Sequence, residues 1–588
     1  MSPAARCPRA STSRASPPAA SRPSAGSSCS GRKTHTREAG MHKLLGALLV
    51  AMASEANAVT YHLDAAGTGD YPSIAAAIAA ANPGDSILLA AGLYLGAGNT
   101  QLDYGGKDIV IAGAGPEVTI LPCMDSGVPV LRFENGETRA AVLRDLTLRN
   151  NYHYYAPTGV IVEDASPSLI NLHLEGFGGG SFYFGGGALY ADGSSLLLQD
   201  AEVRDCWHRG GLALYGGAPV LERVLVENCH TSNPEYGASG GGIRVGGNAT
   251  LREVTVRGCS CWEGIGGGVI TGGPTVFEDC LFEGNDSGSE IGYTERGGGG
   301  VACSGGSPTF KRCVFRGNTA RDGGGGLGVY NGAAPLLEDV LFTENASDIG
   351  GSIVFDNAAG TLRRVTIVDS GYMEDWDEYD GPSAIHCIGS SPTIEQVIVA
   401  LSDEGVGLWA DAASSPALSC SDLFGNPGGN YGGTLADQTG LNGNISVDPL
   451  FCDAAGGDYT LDAASPCLPA NNDCHLQMGA FGWGCGTTAA EETAPAAFAF
   501  APPQPNPFNP KTTLRFALPR AAAVDLTIFD VSGRQVRRLL AGERLPAGQH
   551  ALDWDGHDEG GRALPSGVYF ARFAAGGFTA ERKLVLLR

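Results

Sequence analysis

The stretch GGGGVACSGGSPTFKRCVFRGN (297–318) holds the pattern that decides the fold. A glycine run leads into an apolar-x-apolar triplet, a turn follows, and an alternating segment closes on Asn318. The same order returns in GGGIRV (240–245) with ATLREVTVRGC (249–259), and in GGGGLGV (323–329) with APLLEDVLFTEN (334–345). Strands this short cannot bury a core alone, but stacked copies can. The repeat therefore predicts a β-solenoid.

Equivalent positions recur from about residue 160 to 426, and glycine serves the tight corners and close backbone contacts. In each triplet the outer two residues are expected to face the core and the middle one the solvent. These middle residues are Leu189, Ala213, Arg244, Ile270, Ala302, Gly328, Val354, His386 and Trp409. The closing asparagines are expected to form a hydrogen-bonded ladder at one corner. They are Asn228, Asn285, Asn318, Asn345 and Asn426.

These motifs resemble the right-handed parallel β-helix proteins of the pectin-lyase-like fold and the repeats of bacterial polymorphic outer-membrane proteins. The segment GTGDYPSIAAAIAAANPGDSILLAAGLY (67–94) is similar to the N-terminal cap of that fold. Its apolar residues Ile74, Ala77, Ile78 and Ala81 share one face of a predicted helix. The stretches 419–433, 443–453 and 473–485 are similar to the tails of secreted bacterial β-helix repeat proteins, which implies a second cap.

Composition excludes several classes of protein. With 88 glycines in clusters and 43% apolar residues, the chain is neither collagen-like nor disordered through charge. Residues 1–40 are interpreted as an untranslated or disordered extension. Residues 41–58 are interpreted as a signal peptide, because a short apolar run precedes Ala56-Asn57-Ala58. The alternative is a disordered tail before an uncleaved anchor.

From Val59 onward the chain has 30 basic and 61 acidic residues, a net charge of −31. This sign argues against nucleic acid as a partner. No later stretch has the length of a transmembrane span. An exported location, extracellular or at the outer-membrane surface, follows from the signal peptide.

The domain boundaries follow from these motifs. We predict an N-terminal cap and first coils (59–130), β-helix repeats (131–430), a cysteine-containing cap (431–486) and a linker (487–504). The fourteen cysteines after Ala58 are more readily explained as disulfide partners than as metal ligands in an exported chain. Cys206, Cys229 and Cys259 share one coil position, and Cys280 and Cys313 share another. They can equally be small buried hydrophobes in a ladder.

Residues 505–588 predict a small antiparallel β-sandwich, since period-2 runs alternate with SGR, PAG, DEGG and PSG turns. PNPFNP (505–510), Trp554-Asp555-Gly556 and Ser566-Gly567-Val568-Tyr569 resemble FlgD-type Ig-like domains and the C-terminal sorting domains of type IX secretion. The resemblance implies that this module contacts secretion machinery. The alternative is an Ig-like spacer. The fold class is thus all-β, a parallel β-helix followed by a sandwich.

Many relatives of the β-helix fold cleave or de-esterify acidic polysaccharides, which raises the question of a catalytic site. Along the predicted outward row, no two adjacent coils pair carboxylates, or a carboxylate with a base. The motifs of polygalacturonases, pectin methylesterases and pectate lyases are missing. His386 is interpreted as a surface histidine. We therefore expect no catalytic residue in this row.

The segments of variable length carry the candidate binding residues, because they lie between the closing corner and the next glycine run. Aromatic residues there can stack on sugars or contact a protein, or they can fold back over the neighbouring coil. They are Tyr152, Tyr154, Tyr155, Tyr183, Trp207, Trp262, Tyr293, Trp376 and Tyr379. Acidic residues in DSGYMEDWDEYDG (369–381) suit calcium, although a solvated acidic loop is the alternative. They are Glu374, Asp375, Asp377, Glu378 and Asp380.

Two classes of function stay open. The preferred hypothesis is a secreted or cell-surface, adhesin-like protein without catalysis that contacts a glycan or another surface through these loops. Its only expected cofactor is calcium. The alternative is a lyase or hydrolase of acidic polysaccharides with an unrecognised site.

Overall fold

The fold is seen in a computed structural model of the chain. The structure describes residues 58–587 apart from 124–127, 151–157, 179–186, 232–239, 263, 289–296, 322, 373–382, 404, 487–496, 510, 546–547 and 561. One short helix, Ile74–Ala80, buries Ile74 and Ala77, and its N-cap is Ser73. Almost all the remaining regular structure is β, as the sequence predicted.

Three parallel sheets build the solenoid. In a typical coil the chain passes through one strand of sheet B and then two strands of sheet A, and several coils add a short strand of sheet C. The thirteen strands of sheet B are Leu102–Asp103, Leu131–Phe133, Val160–Glu163, Leu189–Asp192, Leu212–Tyr215, Ile243–Val245, Val269–Thr271, Val301–Ser304, Leu327–Tyr330, Gly350–Asp356, Ser383–Ile388, Val406–Ala410 and Tyr431–Gly433. The five strands of sheet C are His230–Thr231, Ser260–Cys261, Asp286–Ser287, Thr319–Ala320 and Ala346–Ser347.

Sheet A has 23 strands, and in many coils two residues separate its two strands, the first of them with positive φ, such as Asp200 or Arg312. The strands are Thr60–Leu63, Ser86–Leu89, Gly92–Leu93, Val110–Ala112, Thr119–Cys123, Val142–Asn150, Ser168–Glu175, Leu197–Gln199, Glu202–Arg204, Val220–Glu222, Leu225–Glu227, Thr250–Arg252, Thr255–Arg257, Val276–Glu278, Leu281–Glu283, Thr309–Lys311, Val314–Arg316, Leu336–Thr343, Thr361–Val368, Thr393–Glu395, Ile398–Ala400, Ala417–Ser419 and Asp422–Phe424.

Side chains of one type stack from coil to coil inside the solenoid. Phe277 and Phe310 are paired in register, with ring centroids 4.7 Å apart and planes within 3°. Phe282, Phe315 and Phe342 continue the same kind of stack, and all five rings are fully buried. Aromatic stacks of this kind add to the burial of apolar area. The alternation of the repeat therefore produces one continuous core.

The closing residues of the repeat form the predicted ladder at one corner. Asn285 donates its amide to Asn318 Oδ1, and Asn318 donates in turn to Asn345 Oδ1, both at 2.9 Å. All three side chains are fully buried. Asn228 does not belong to this row, because the register places Cys229 opposite Cys259 and Cys259 opposite Asn285. Asn228 instead adopts positive φ, one residue before the corner.

Glycine runs occupy the place where a strand of sheet C passes against the start of a sheet B strand. A Cβ on Gly299 would lie 2.2 Å from the carbonyl oxygen of Thr319, and one on Gly241 would lie 2.3 Å from that of Ser260. Neither glycine needs positive φ, so close backbone approach is the reason for the run.

The outer face of sheet A carries two rows in which positive and negative side chains alternate over seven successive coils. Alternation along a parallel sheet places each charge between two of opposite sign, and it penalises a shift of one coil. One row is Arg149, Glu175, Arg204, Glu227, Arg257, Glu283 and Arg316. The other is Glu222, Arg252, Glu278, Lys311, Glu338, Arg363 and Glu395.

Residues 443–485, the C-terminal segment, pack against the outer face of sheet A in the last coils. Tyr459 donates to Asp369 Oδ2 at 2.9 Å, and its hydroxyl also pairs with Thr343 Oγ1 at 2.9 Å. A small sheet (Phe451–Asp453, Asp458–Asp462 and Trp483–Cys485) and a 3-10 turn (Ala454–Gly456) lie in this segment. Apolar side chains of the segment and of sheet A share one cluster, made of Leu461, Cys467, Leu468, Met478, Ile398 and Ala400.

Two disulfides hold the C-terminal segment, Cys420–Cys474 and Cys452–Cys485. The other ten cysteines of the described part are buried. Among them, Cys206, Cys229 and Cys259 stack at the corner, and Cys280 pairs in register with Cys313. At these five positions the buried-ladder alternative, not a disulfide, describes the structure. Their thiols fill corner positions that other coils give to asparagine or valine.

The C-terminal module consists of two antiparallel sheets that share one apolar core. One sheet contains Ala499–Phe500, Thr512–Leu518 and Gly548–Trp554, and the other contains Gln535–Leu545, Ala522–Asp530, Gly567–Ala575 and Phe578–Leu586. The PNPFNP motif covers the edge of the last strand. Asn506 donates to Lys583 O at 2.7 Å and accepts from Val585 N at 2.8 Å, as a neighbouring strand would.

Candidate ligand-binding surfaces

Five of the segments with variable length connect the corner of the ladder to sheet B. They are 151–157, 179–186, 232–239, 289–296 and 373–382, and they lie outside the described residues. The described residues on either side place the ends of these segments at the same corner of different coils. Seven predicted aromatic residues fall in them: Tyr152, Tyr154, Tyr155, Tyr183, Tyr293, Trp376 and Tyr379. The predicted calcium ligands Glu374, Asp375, Asp377, Glu378 and Asp380 do so as well.

The two predicted aromatic residues that the structure describes are both exposed at this corner. Trp207 is 49% exposed and Trp262 is 62% exposed. The Trp207 ring lies on His230 of the next coil, with centroids 4.4 Å apart and planes tilted by 36°. One face of the indole is thus supported while the rest of the side chain stays open to solvent. This geometry suits stacking on a sugar ring.

A polar row continues from Trp207 along the outer side of sheet C. His230 Nδ1 lies 2.7 Å from Ser260 Oγ, and Thr319 donates to Asp286 Oδ1 at 2.6 Å. Burial lowers the pKa of His230, although Cys229 and Asp205 act against this, so the imidazole is neutral at pH 7. A neutral imidazole offers both a donor and an acceptor to hydroxyl groups. We name Trp207, His230, Ser260, Asp286 and Thr319 the corner row.

The outward row of sheet B differs from the prediction at its first position. Leu189 is fully buried, and the register pairs Tyr190, not Leu189, with Ala213. The strand begins one residue later than the triplet pattern suggested, which shifts the outward position to Tyr190. The remaining predicted positions follow one another in register from Ala213 to Trp409.

The central and last coils of sheet B leave little room for a ligand. Ala302 and Val354 are buried, because Tyr330 crosses Gly328 and donates to Gly297 O. His386 is 5% exposed and stacks on Trp409 with centroids 4.0 Å apart. Its interpretation as a surface histidine is therefore wrong.

The earlier coils of sheet B carry a patch that the sequence reasoning missed. Tyr190 and Tyr215 have ring centroids 5.7 Å apart, and Arg244 donates to the Tyr215 hydroxyl at 3.1 Å. Asp192 is paired in register with Glu163 on one side and with Tyr215 on the other. We name Glu163, Tyr190, Asp192, Tyr215 and Arg244 the tyrosine–carboxylate patch. Its signal lies in the last residues of the strands VIVE, LYAD and LALY, two positions after the middle residue of each triplet.

Charge is left unbalanced at this patch. No cation of the described residues lies within ion-pair distance of Glu163 or Asp192, and neither carboxylate accepts a hydrogen bond there. On sheet A, by contrast, Arg149 lies 2.7 Å from Glu175, and Arg257 lies 2.7 Å from Glu227. Burial raises the pKa of Tyr190, and the charges of Asp192 and Glu163 raise it further. Adjacent coils therefore place two carboxylates side by side here, which they do not do in the row of middle residues.

Within the described residues, no group of three or more His, Cys, Asp or Glu side chains could hold a metal ion. Acidity is nevertheless concentrated towards the end of the solenoid. Residues 365–510 contain 19 acidic residues and no lysine or arginine. The predicted calcium loop belongs to this stretch.

Two family models match parts of the chain. Residues 186–370 match the model described as right handed beta helix region. The solenoid is thus a β-helix. Residues 508–576 match the model described as FlgD Ig-like domain, which agrees with the predicted resemblance of the C-terminal module to such domains. A type IX sorting role stays a prediction.

Two solved structures are similar to parts of the chain. FlgD from P. aeruginosa is 27% identical over 13% of this chain and 58% of its own, with a TM-score of 0.11. The chain thus spans less than two thirds of that protein. An alginate lyase from Paenibacillus sp. str. FPU-7 is 10% identical over 62% of this chain and 99% of its own, with a TM-score of 0.24. A comparison with curated proteins finds no match. In the described part of the β-helix protein, no helix is long and apolar enough to cross a membrane.

Proposed function

We propose that this β-helix protein is a secreted or cell-surface, adhesin-like protein without catalysis, which contacts glycans through the corner row and the loops around it. The exposed Trp207, supported on His230, carries the proposal. An indole that is half exposed keeps apolar area in water, which a ligand would cover. Because the ring rests on His230 of sheet C, little side-chain entropy is lost when a sugar stacks on it.

Charge also restricts the ligand. Residues 59–504 carry 18 basic and 53 acidic residues, a net charge of −35. A surface of this sign repels nucleic acids, while neutral glycans approach it freely. Calcium stays part of the proposal for the loop that contains Glu374 and Asp380, since hard oxygen ligands at this density suit the ion.

Replacing the supported indole tests the function. Trp207→Ala should weaken binding of a neutral glycan by about tenfold or more, because an aromatic stack contributes about 1–3 kcal/mol. Titration calorimetry of the full chain, with the oligosaccharides selected on a glycan array, measures the change.

Trp483→Ala is the matched control, because Trp483 is 56% exposed in the C-terminal segment, away from the corner row. Equal effects of the two substitutions would contradict a binding role for the corner row.

One observation favours the alternative function. Glu163 and Asp192 occupy paired positions on adjacent coils, and two carboxyl groups about 5–5.5 Å apart serve retaining glycosidases. If the chain hydrolyses a polysaccharide, these two residues are the candidates for its acid and nucleophile. A product assay on acidic and neutral polysaccharides decides this question, since release of reducing ends that Glu163→Gln abolishes would establish the enzyme.

Export is proposed on the sequence alone. Residues 41–58 would direct the chain to secretion, and residues 505–588 would contact the secretion machinery that places it at the outer surface. The disulfides Cys420–Cys474 and Cys452–Cys485 support an oxidising destination.

A further inference from the structure

Two like charges stand side by side on the tyrosine–carboxylate patch. Glu163 and Asp192 are directly paired across parallel strands, which sets their backbones about 4.8 Å apart. Like charges in this position destabilise a sheet. The two alternating rows of sheet A avoid this cost, because they place an opposite charge on the next coil.

The tyrosine rings add a second feature to the same patch. Tyr190 precedes Asp192 by two residues on one strand, and Tyr215 faces Asp192 from the next coil. Their rings are tilted by 49°, so they form two sides of a shallow cradle beside the carboxylates. Ring faces carry negative electrostatic potential and attract cations, as the carboxylates do. All four groups therefore favour a positive ligand.

A metal ion is a poor candidate for this cradle. Calcium takes six to eight oxygen ligands. The described residues offer two unpaired carboxylates here, because the neighbouring Glu134 is paired with Arg132, and they contain no cluster of three metal-ligating side chains. An organic ammonium group needs fewer fixed partners, because it combines charge with hydrogen bonds and contact to the rings.

Arg244 indicates which kind of ammonium ligand fits the patch. The guanidinium of Arg244 donates to the Tyr215 hydroxyl, and the residue is half-buried. Arg244 and Glu163 lie on opposite sides of the two tyrosine rings along the solenoid. A ligand across the patch therefore meets acceptors at one end and a donor at the other. A lysine side chain presents an ammonium group on an apolar stem, whereas an amino sugar presents one beside ring hydroxyls that accept hydrogen bonds.

We propose that the tyrosine–carboxylate patch binds the ammonium group of an amino sugar within a glycan. Glu163 and Asp192 would accept its hydrogen bonds, the two tyrosine rings would flank it, and Arg244 would donate to a neighbouring hydroxyl. The inference rests on the proposed glycan-binding function and names the class of sugar. It also implies that acidic polysaccharides are repelled at this point of sheet B.

The test compares a glucosamine hexasaccharide with its N-acetylated form, using calorimetry on the full chain. The native chain should prefer the glucosamine oligomer by about tenfold or more, since charged hydrogen bonds are stronger than neutral ones. In Glu163→Gln/Asp192→Asn this preference should fall to near unity. The preference should also weaken as salt is raised.

Glu134→Gln is the matched control, because Glu134 precedes Glu163 in the same row but is already paired with Arg132. Thermal unfolding shows whether the double variant folds, and removal of the repulsion should leave its midpoint equal or higher. Equal affinities of the native chain for the two oligomers would overturn the inference. So would a preference that survives in the double variant. If Trp207→Ala has no effect while the double variant loses the preference, the corner row fails and this inference stands.

Discussion

At the residue scale, Asp422 shows how the C-terminal segment depends on protonation. Its side chain is fully buried, it accepts from Val447 N at 3.1 Å, and Cys467 Sγ lies 3.2 Å from its other oxygen. Burial raises the pKa of Asp422 to about 6, and Asp448 adds to the effect. The unfolded chain has a carboxyl pKa of about 3.9. The folded state therefore holds this proton more tightly than the unfolded state does.

The sign of the pH dependence follows from that difference. The stabilisation from protonated Asp422 is fully present below about pH 4 and is lost as the pH rises through about 6. Asp422→Asn removes the buried charge, so it should be more stable than the native chain at pH 8, by about 1–3 kcal/mol. Near pH 4 this advantage should vanish.

Thermal unfolding of both proteins at the two pH values measures the effect. Asp473→Asn serves as control, because Asp473 is exposed in the same segment. An advantage of Asp422→Asn that is the same at pH 4 and pH 8 would contradict the assignment.

At the element scale, the ladder of asparagines couples neighbouring coils. Asn318 both donates to Asn345 and accepts from Asn285, and it also donates to Phe282 O at 2.9 Å. Each bond satisfies a group that has no access to water. The ladder thus stabilises a corner at which the chain turns away from sheet A.

Removing the central amide should break both links. Asn318→Ala removes the acceptor of the buried Asn285 N–H and one hydrogen bond each from the amides of Asn285 and Asn345, and should cost about 2–4 kcal/mol of the free energy of unfolding. Denaturant unfolding measures this cost. Asn248→Ala, at an exposed asparagine, should change the midpoint little. Comparable losses in the two variants would show that the ladder adds nothing to stability.

At the scale of the whole molecule, charge separates the two folded parts. Residues 59–504 have a net charge of −35, whereas residues 505–588 have 12 basic and 8 acidic residues, a net charge of +4. The module also has its own apolar core, distinct from that of the solenoid. Both observations suit a module that folds separately and binds a partner different from that of the solenoid.

Deletion of residues 505–588 should therefore leave the solenoid folded and its glycan binding unchanged. If the module is a sorting domain, its deletion should abolish surface display in a host with the matching secretion system. The protein should then accumulate in the periplasm. Fractionation and protease accessibility of intact cells measure display. Unchanged display would show that the module is a spacer.

The sequence by itself determined the fold class, because its signals are local and repeated. Glycine runs, alternating triplets and closing asparagines recur at each coil, so the solenoid, the Ile74–Ala80 helix and the inward Phe277 and Val340 follow from pattern alone. The sequence also placed Trp207 after the corner, but it left open whether the ring is exposed or folds back over the neighbouring coil.

Only the tertiary structure decided which residues meet across coils. Register depends on the length of every intervening loop, and an error of one residue moved the outward position from Leu189 to Tyr190 and put Asn228 in the ladder. Burial of His386 depends on its stack with Trp409, one coil away. The patch of Glu163 and Asp192 exists because residues 29 positions apart are paired between parallel strands, and no local pattern encodes that pairing.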